Sequence, residues 1–307
     1  MILKKTTLSL AFITVTSVAA ACNIPVFRYA LERWRSDSYE VVVTHANDLT
    51  TEQIAFVKHI EDAGEKTNVT VVHKVDASAV TPQVVVQLKM ASGRVASNWR
   101  GTIEEAKQVD LLDSPARKEL INRLLAGESV VWLLLRSTDS TRSDAARERL
   151  NESFRALSTR IALPEGIGEP GSELHSEVPL LVKFSAIEID AHDEREKFLS
   201  TWLRGFRSES VKQGEPLIVP VFGRGRALEV IPASELNTHL IEDLTLFLSG
   251  ACSCQVKEQN PGFDLLLTVD WDNELFGADG PRPPTAKTIA DRDQTPRTLT
   301  IPPGGRK

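Results

Sequence analysis

Apolar runs along this chain are short and separated by turn residues, most clearly between residues 214 and 254. A proline opens an apolar run from Leu217 to Phe222, and the tripeptide Gly223-Arg224-Gly225 separates it from a second run, 227–231. A helical pattern of apolar positions follows and stops at Gly250. This order predicts two strands joined by a tight turn and followed by a helix.

The same order occurs earlier in the chain. The sequence TPQVVVQLKMASGRV corresponds to the later EPLIVPVFGRGRAL, and each leads to a helical pattern that ends at glycine. Upstream of each, two apolar runs flank a helical pattern, which favours a parallel strand pair with a helical crossover. We therefore predict an α/β protein of two tandem domains, 38–127 and 128–272, each a mixed sheet flanked by helices. The first domain lacks the helix in the middle of its unit.

The sequence before, at the end of and after these two domains has three further patterns. Residues 22–37 carry apolar positions at helical spacing, which predicts an N-terminal helix and linker. We expect this helix to pack on the first domain, with a role at a membrane surface as the alternative. The apolar run 263–269 predicts a last strand of the second domain. Residues 273–307 are rich in Pro, Gly, Asp and Arg, which predicts a disordered tail.

The predicted order of elements, with a proline just before each hairpin, resembles the thioredoxin fold. That resemblance covers most of residues 38–250 as two degenerate copies, and it implies cis bonds at Pro82 and Pro216. In the thioredoxin family a C-x-x-C motif lies between the first strand and the first helix. Here that junction reads His45-Ala46-Asn47-Asp48 in one copy and Ser137-Thr138-Asp139-Ser140 in the other. Because neither contains cysteine, the redox chemistry of the family does not carry over at these positions.

The amino terminus has the order of a secretory signal. Two lysines precede a short apolar core, and Ala19-Ala20-Ala21 leads directly to Cys22. Small residues before a cysteine resemble the lipobox of bacterial lipoproteins, which implies lipidation of Cys22, although leucine is commoner at position 19. Ordinary signal-peptidase cleavage after an A-x-A site is the alternative. In either case residues 1–21 form a signal peptide outside the fold.

Composition and charge argue against nucleic-acid binding, a disulfide scaffold and a structural zinc site. The chain of 307 residues has 36 basic and 42 acidic side chains and a formal net charge of -6. Nucleic-acid binding is therefore not expected, since such proteins usually present a basic face. Three cysteines are too few for a disulfide scaffold or a complete structural zinc site.

Cys252-Ser253-Cys254 is the one concentrated set of reactive side chains in the sequence. A structural disulfide, a redox-active pair and a soft-metal site for copper are all compatible with it. The pair follows a helix C-terminus, whose negative end opposes thiolate formation. The surrounding segment, CSCQVKEQNPGFDLLLTVDWD, resembles a segment of uncharacterised bacterial lipoproteins, and that resemblance implies no activity.

Together these features predict a non-catalytic, lipid-anchored protein of the cell envelope that acts as a binding or assembly module. Its expected contacts are a membrane, through Cys22, and an envelope protein partner, with no cofactor and no nucleic acid. The alternative function is thiol–disulfide exchange or copper handling by Cys252 and Cys254.

Overall fold

The computed structural model describes residues 23–64, 67–90, 95–252, 257–277 and 280. The elements of the first half, in chain order, are α1 (Val26–Arg33), β1 (Ser38–His45), α2 (Thr51–Gly64), β2 (Val69–Val75), β3 (Gln83–Lys89), β4 (Val95–Thr102), α3 (Ile103–Gln108) and α4 (Pro115–Leu125).

The second half begins with a strand that is buried on both faces and continues through alternating helices and strands. Its elements are β5 (Val130–Leu135), α5 (Ser140–Leu157), β6 (Phe184–Ile189), α6 (Lys197–Gly205), α7 (Ser208–Lys212), β7 (Leu217–Phe222), β8 (Arg226–Ala227), β9 (Ile231–Pro232), α8 (Thr238–Ser249), β10 (Phe263–Asp264) and α9 (Trp271–Phe276).

Several helices begin at a side-chain oxygen that accepts a hydrogen bond from a backbone N–H three residues on. Ser114 caps α4, which has a proline at its first position, and Asp139 caps α5. Asn237 caps α8 by accepting from the N–H of Leu240 at 2.9 Å. These caps supply partners for N–H groups that a helix start leaves unpaired.

Four strands of each sheet follow one order. The first sheet runs β2-β1-β3-β4, and the second runs β6-β5-β7-β8-β10, with β9 paired to β7 off this path. In each half the first two strands are parallel, and the third is antiparallel to the first. The predicted α/β class with two mixed sheets flanked by helices is confirmed. As predicted, no helix lies between β2 and β3, whereas α6 and α7 lie between β6 and β7.

Pro82 and Pro216 occupy corresponding places, since each directly precedes the third strand of its half. Neither follows a cis bond, because every peptide bond in the described part of the chain is trans. The expectation of cis bonds at these two prolines is therefore wrong. Trans is the more stable form of most X-Pro bonds, and the strand order is reached without a departure from it.

The carboxyl-terminal predictions need two corrections. The last strand is only Phe263–Asp264 instead of 263–269, because its partner β8 is just two residues long. The predicted start of the tail at residue 273 is also wrong, since α9 extends to Phe276 and buries Leu275 and Phe276. Residues 281–307 lie outside the described part of the chain.

The N-terminal helix packs on the second half, contrary to the expectation that it packs on the first. The N–H of Val26 donates to the carbonyl of Gly250 at 3.0 Å, and Pro25 forms an antiparallel bridge with Ala251. Phe27 and Ala30 are buried in the apolar cluster that also contains residues of β5, α5 and α8. Helical periodicity predicted an apolar face here, but it does not identify the surface that covers that face.

One apolar cluster contains side chains from both halves. Along β5 the odd positions Val131, Leu133 and Leu135 belong to it, while the even positions face the cluster under α1, α5 and α8. Helix α4 of the first half packs against β5 and β6, and α6 of the second half packs against β4. The two sheets therefore share a central helical layer, which fixes the position of one half relative to the other.

Candidate functional site

Of the three cysteines that the sequence singled out, only Cys252 belongs to the described residues. Cys22 and Cys254 fall outside the described residues, so the predictions of lipidation and of a reactive pair remain predictions. Cys252 is described and is buried, with an exposed fraction of 3%. Its N–H donates to the carbonyl of Ile24 at 2.9 Å, and its side chain belongs to the apolar cluster beneath α1 and α8. Cys252 therefore contributes to packing around the N-terminal helix.

The two strand–helix junctions are occupied by capping and turn-forming groups. In the first, the Nδ1 atom of His45 lies 2.8 Å from the carbonyl oxygen of Asn47, and its ring contacts that of His73 edge to face. In the second, Asp139 accepts from the N–H of Arg142, and the Oγ atom of Ser143 accepts from the N–H of Ser137. These side chains order the loops that lead into α2 and α5.

Four buried charged side chains lie together where the residues just before β1 contact β8 and the residues 257–264. We call this set the four-charge cluster; it consists of Asp37, Arg226, Lys257 and Asp264. The Lys257 ammonium lies 2.9 Å from Asp37 Oδ1 and also binds the Asp264 carboxylate. The Arg226 guanidinium lies 3.1 Å from Asp264 Oδ1. Two cations thus face two anions, as burial of charge requires.

Backbone groups complete the four-charge cluster. Arg226 donates to the carbonyl oxygens of Asn260, Pro261 and Gly262, and the N–H of Asp37 donates to Asp264 Oδ2 at 2.6 Å. Such bonds orient the charged groups and offset part of the cost of removing them from water. The four-charge cluster was not predicted from the sequence. The aspartate within the apolar run GFDLLL indicated one buried charge but not its partners.

Tyr39 adjoins the cluster and is fully buried. Its hydroxyl donates to the backbone carbonyl of Asp264 at 2.7 Å, which links β1 of the first half to β10 of the second. Burial raises the pKa of this phenol well above 10.0, and the nearby carboxylates of Asp264 and Asp37 add to the effect. The side chain therefore remains a neutral donor at physiological pH.

A second buried ion pair lies within α1, and both of its side chains also bind backbone groups of the loop between α5 and β6. The Arg28 Nε atom donates to Glu32 Oε1 at 2.9 Å, and both side chains are fully buried. Glu32 also accepts from the N–H groups of His175 and Ser176. Burial lowers the pKa of the Arg28 guanidinium, while the adjacent Glu32 carboxylate opposes that change.

A recess lies between α4, the loop that joins α2 to β2, and residues 268–274. We call it the interdomain cleft; its volume is about 600 Å³, within the range of ligand pockets. Its walls combine apolar and polar side chains: Ala63, Thr67, Lys118, Ile121, Asn122, Leu125, Thr268, Val269, Asp270, Asn273 and Glu274. A smaller recess of about 280 Å³ shares Thr67, Val269 and Asp270 with the cleft.

Two polar atoms near the cleft have no hydrogen-bond partner among the described residues. They are the Thr67 hydroxyl oxygen and the Asn68 side-chain oxygen, both shielded from solvent. The Asn68 amide nitrogen, in contrast, donates to the backbone carbonyl of Asp37 at 2.8 Å. The smaller recess, which Asn68 lines, therefore adjoins the backbone of Asp37, a member of the four-charge cluster.

The described residues contain no helix long and apolar enough to cross a membrane. Within the same part of the chain, no group of three or more His, Cys, Asp or Glu side chains is arranged to hold a metal ion. Comparison of the chain with protein-family models, with curated proteins and with solved structures found no match.

Proposed function

We propose that the protein is a lipid-anchored binding or assembly module of the cell envelope, non-catalytic and built on two degenerate thioredoxin-like units. Support for the units comes from the shared strand order and from the two prolines that precede the third strands. The strand–helix junctions hold caps and turns instead of thiols. This architecture retains a scaffold and exposes recesses for a partner.

The observation that carries the proposal is a contrast between the buried charged side chains, which pair with one another, and the interdomain cleft, which is open. Buried charges such as Arg226, Lys257 and Asp264 join separate chain segments to one another. The interdomain cleft, by comparison, is open and has mixed walls. Mixed apolar and polar lining is typical of recognition sites, where apolar area supplies affinity and polar groups supply orientation.

Residues around Asn122 are the part of the cleft best suited to a test. Asn122 is exposed on α4 and lies between Lys118 and Leu125 on the side of the helix that lines the cleft. An arginine at this position would fill the opening and add a positive charge without disturbing the core. Thr201 is an exposed position on α6 outside the cleft lining and provides a matched control.

The experiment is affinity capture from membranes with full-length wild type, Asn122→Arg and Thr201→Arg. We expect capture of a specific envelope protein by wild type and by Thr201→Arg, and at least about tenfold less by Asn122→Arg, which corresponds to about 1.4 kcal/mol. Equal capture by all three chains would exclude the cleft as the binding site. If a Cys22→Ser chain stays with membranes after a salt wash, either the lipobox interpretation is wrong or the helix within residues 26–34 carries the anchoring.

A further inference from the structure

The first described residues, which directly follow the proposed lipidation site, are packed against the rest of the protein. The N–H of Asn23 donates to the Ser172 hydroxyl at 2.9 Å, and Ile24 is fully buried. Consecutive Cα atoms in a chain are about 3.8 Å apart, and Asn23 is held by this hydrogen bond. A lipid on Cys22 would therefore hold this end of the body against the bilayer without an intervening linker.

The end of α8 lies beside this starting point. Residues 250–252 run antiparallel to residues 24–26, with the Gly250 carbonyl accepting from Val26 and the Cys252 N–H donating to Ile24. The last turn of α8 ends one residue earlier, at Ser249. Any side chain exposed on that turn is therefore about one helical turn, roughly 5.4 Å along the axis, from the N-terminal segment.

Two large apolar side chains are exposed on that turn. Leu246 is 41% exposed and Phe247 is 42% exposed, and they are consecutive in the sequence. The turn 246–249 contains no charged residue. One helical turn earlier, Glu242 pairs with Arg160 and Asp243 pairs with His239. The other exposed large apolar side chains among the described residues belong to other regions: Ile54, Val72, Val75, Val80 and Phe206.

The opposite side of the N-terminal segment is acidic. The loop that receives Asn23 exposes four glutamates, at positions 165, 169, 173 and 177. Contact between this loop and an anionic bilayer would be unfavourable, whereas contact between Leu246–Phe247 and a bilayer would bury apolar surface. The glutamate-bearing loop should therefore face water, and the end of α8 should face the bilayer.

We infer that Leu246 and Phe247 form a membrane-contact patch that enters the headgroup region of the bilayer, with the glutamate-bearing loop turned away from it. This inference rests on the proposed lipid anchor at Cys22. It assigns an orientation in which the end of α8 faces the lipid. Apolar side chains in such a position enter the boundary between headgroups and acyl chains by about 5–10 Å.

The test uses a tryptophan as a probe of depth. Full-length Phe247→Trp is purified with its native modification and reconstituted in phosphatidylcholine vesicles with and without bromine on the acyl chains, which quenches nearby indole emission. Phe206→Trp is the matched control, because Phe206 is 41% exposed but stacks on Phe263 of β10 and is not part of α8. Wild type supplies the background of its native tryptophans.

We expect the added emission of Phe247→Trp to be quenched at least about twofold more than that of Phe206→Trp, as interfacial burial predicts. Equal quenching in vesicle-bound protein overturns the membrane-contact patch and leaves the lipid anchor standing. A blue shift of Phe247→Trp that grows with protein concentration in the absence of vesicles assigns the patch to a second copy and also overturns the inference. A mature chain whose residue 22 carries no lipid by mass overturns the anchor itself, and the inference with it.

Discussion

The ammonium group of Lys257 lies 2.9 Å from the Oδ1 atom of Asp37, although 220 residues separate the two along the chain. The contact joins the segment that follows α1 to the segment that precedes β10. Arg226 and Asp264 complete the cluster around it. The residues just before β1 are thus bound to the residues just before β10.

Lys257→Met should lower the free energy of unfolding by about 3–5 kcal/mol, because it leaves two buried carboxylates with a single cation. Denaturant unfolding followed by tryptophan fluorescence measures the change. Lys197→Met is the control, since Lys197 is 53% exposed and pairs with the exposed Glu194. A surface pair of this kind contributes at most about 1 kcal/mol. Equal unfolding midpoints for the two variants would show that the four-charge cluster does not stabilise the fold.

The buried phenol of Tyr39 should make the fold sensitive to alkali. Its pKa is raised in the folded protein, chiefly by burial, relative to 10.0 for an exposed phenol. The stabilising contribution of the neutral phenol is therefore complete below pH 10.0 and is lost as pH rises from that value through the folded pKa. Unfolding midpoints measured across this window should fall with pH.

Tyr39→Phe should be less stable near neutral pH by about 1–2 kcal/mol, because the Asp264 carbonyl loses a donor. The same variant should show a shallower loss of stability above pH 10.0 than wild type. Tyr29→Phe, at a partly buried position on α1, is the matched control and should keep the wild-type slope. An unchanged alkaline slope in Tyr39→Phe would contradict the assignment to this phenol.

His175 should make the attachment of α1 sensitive to mild acid. Its Nε2 atom lies 3.1 Å from Arg33 Nη2, and because a guanidinium only donates, the imidazole must accept and be neutral there. Burial lowers the pKa of His175 below 6.5, and the positive charge of Arg33 lowers it further. Stability from this group is therefore present above pH 6.5 and decreases as pH falls through the folded pKa.

Unfolding midpoints between about pH 7.5 and about pH 5.5 test this prediction, since histidine titrates in that range. His175→Gln should flatten the acid-side slope, because glutamine can accept from Arg33 without titrating. His239→Gln serves as control at a site that is 83% exposed on α8. If both variants keep the wild-type slope, the acid sensitivity arises elsewhere.

Cys252→Ser should destabilise the protein by about 1–3 kcal/mol, since it places a hydroxyl in an apolar cluster. Cys252→Ala keeps the apolar character at this position and is the matched control, with a smaller expected loss. Neither variant, nor the double change of Cys252 and Cys254 to serine, should remove a chemical activity. Disulfide-reductase activity or copper binding that is present in wild type and absent from the double variant would replace the binding-module function with the thiol function.

The order of elements was predictable because each half repeats the same local pattern. The continuous apolar run of β5 indicated a strand buried on both faces, and the alternation of Val131 and Leu133 with Trp132 between two clusters is how that burial is achieved. Glycine turns and helix caps such as Ser114 act over a few residues, so their effect can be read from nearby sequence. The mixed sheets and most element positions followed from these local signals.

Tertiary structure alone decided which surfaces and charges meet. An amphipathic helix such as α1 has an apolar face by its own periodicity, but only the packed protein shows that β7 and α8 of the second half cover it. Asp37, Lys257 and Asp264 carry no local signal of their pairing, since charge attraction and desolvation depend on distance in space. The isomers at Pro82 and Pro216 likewise depend on the folded chain around them, because the trans form is favoured by only about 0.5–1 kcal/mol. The repeat was therefore determined by the sequence, and the shared helical layer, the interdomain cleft and the place where the N-terminal segment attaches were determined by long-range packing.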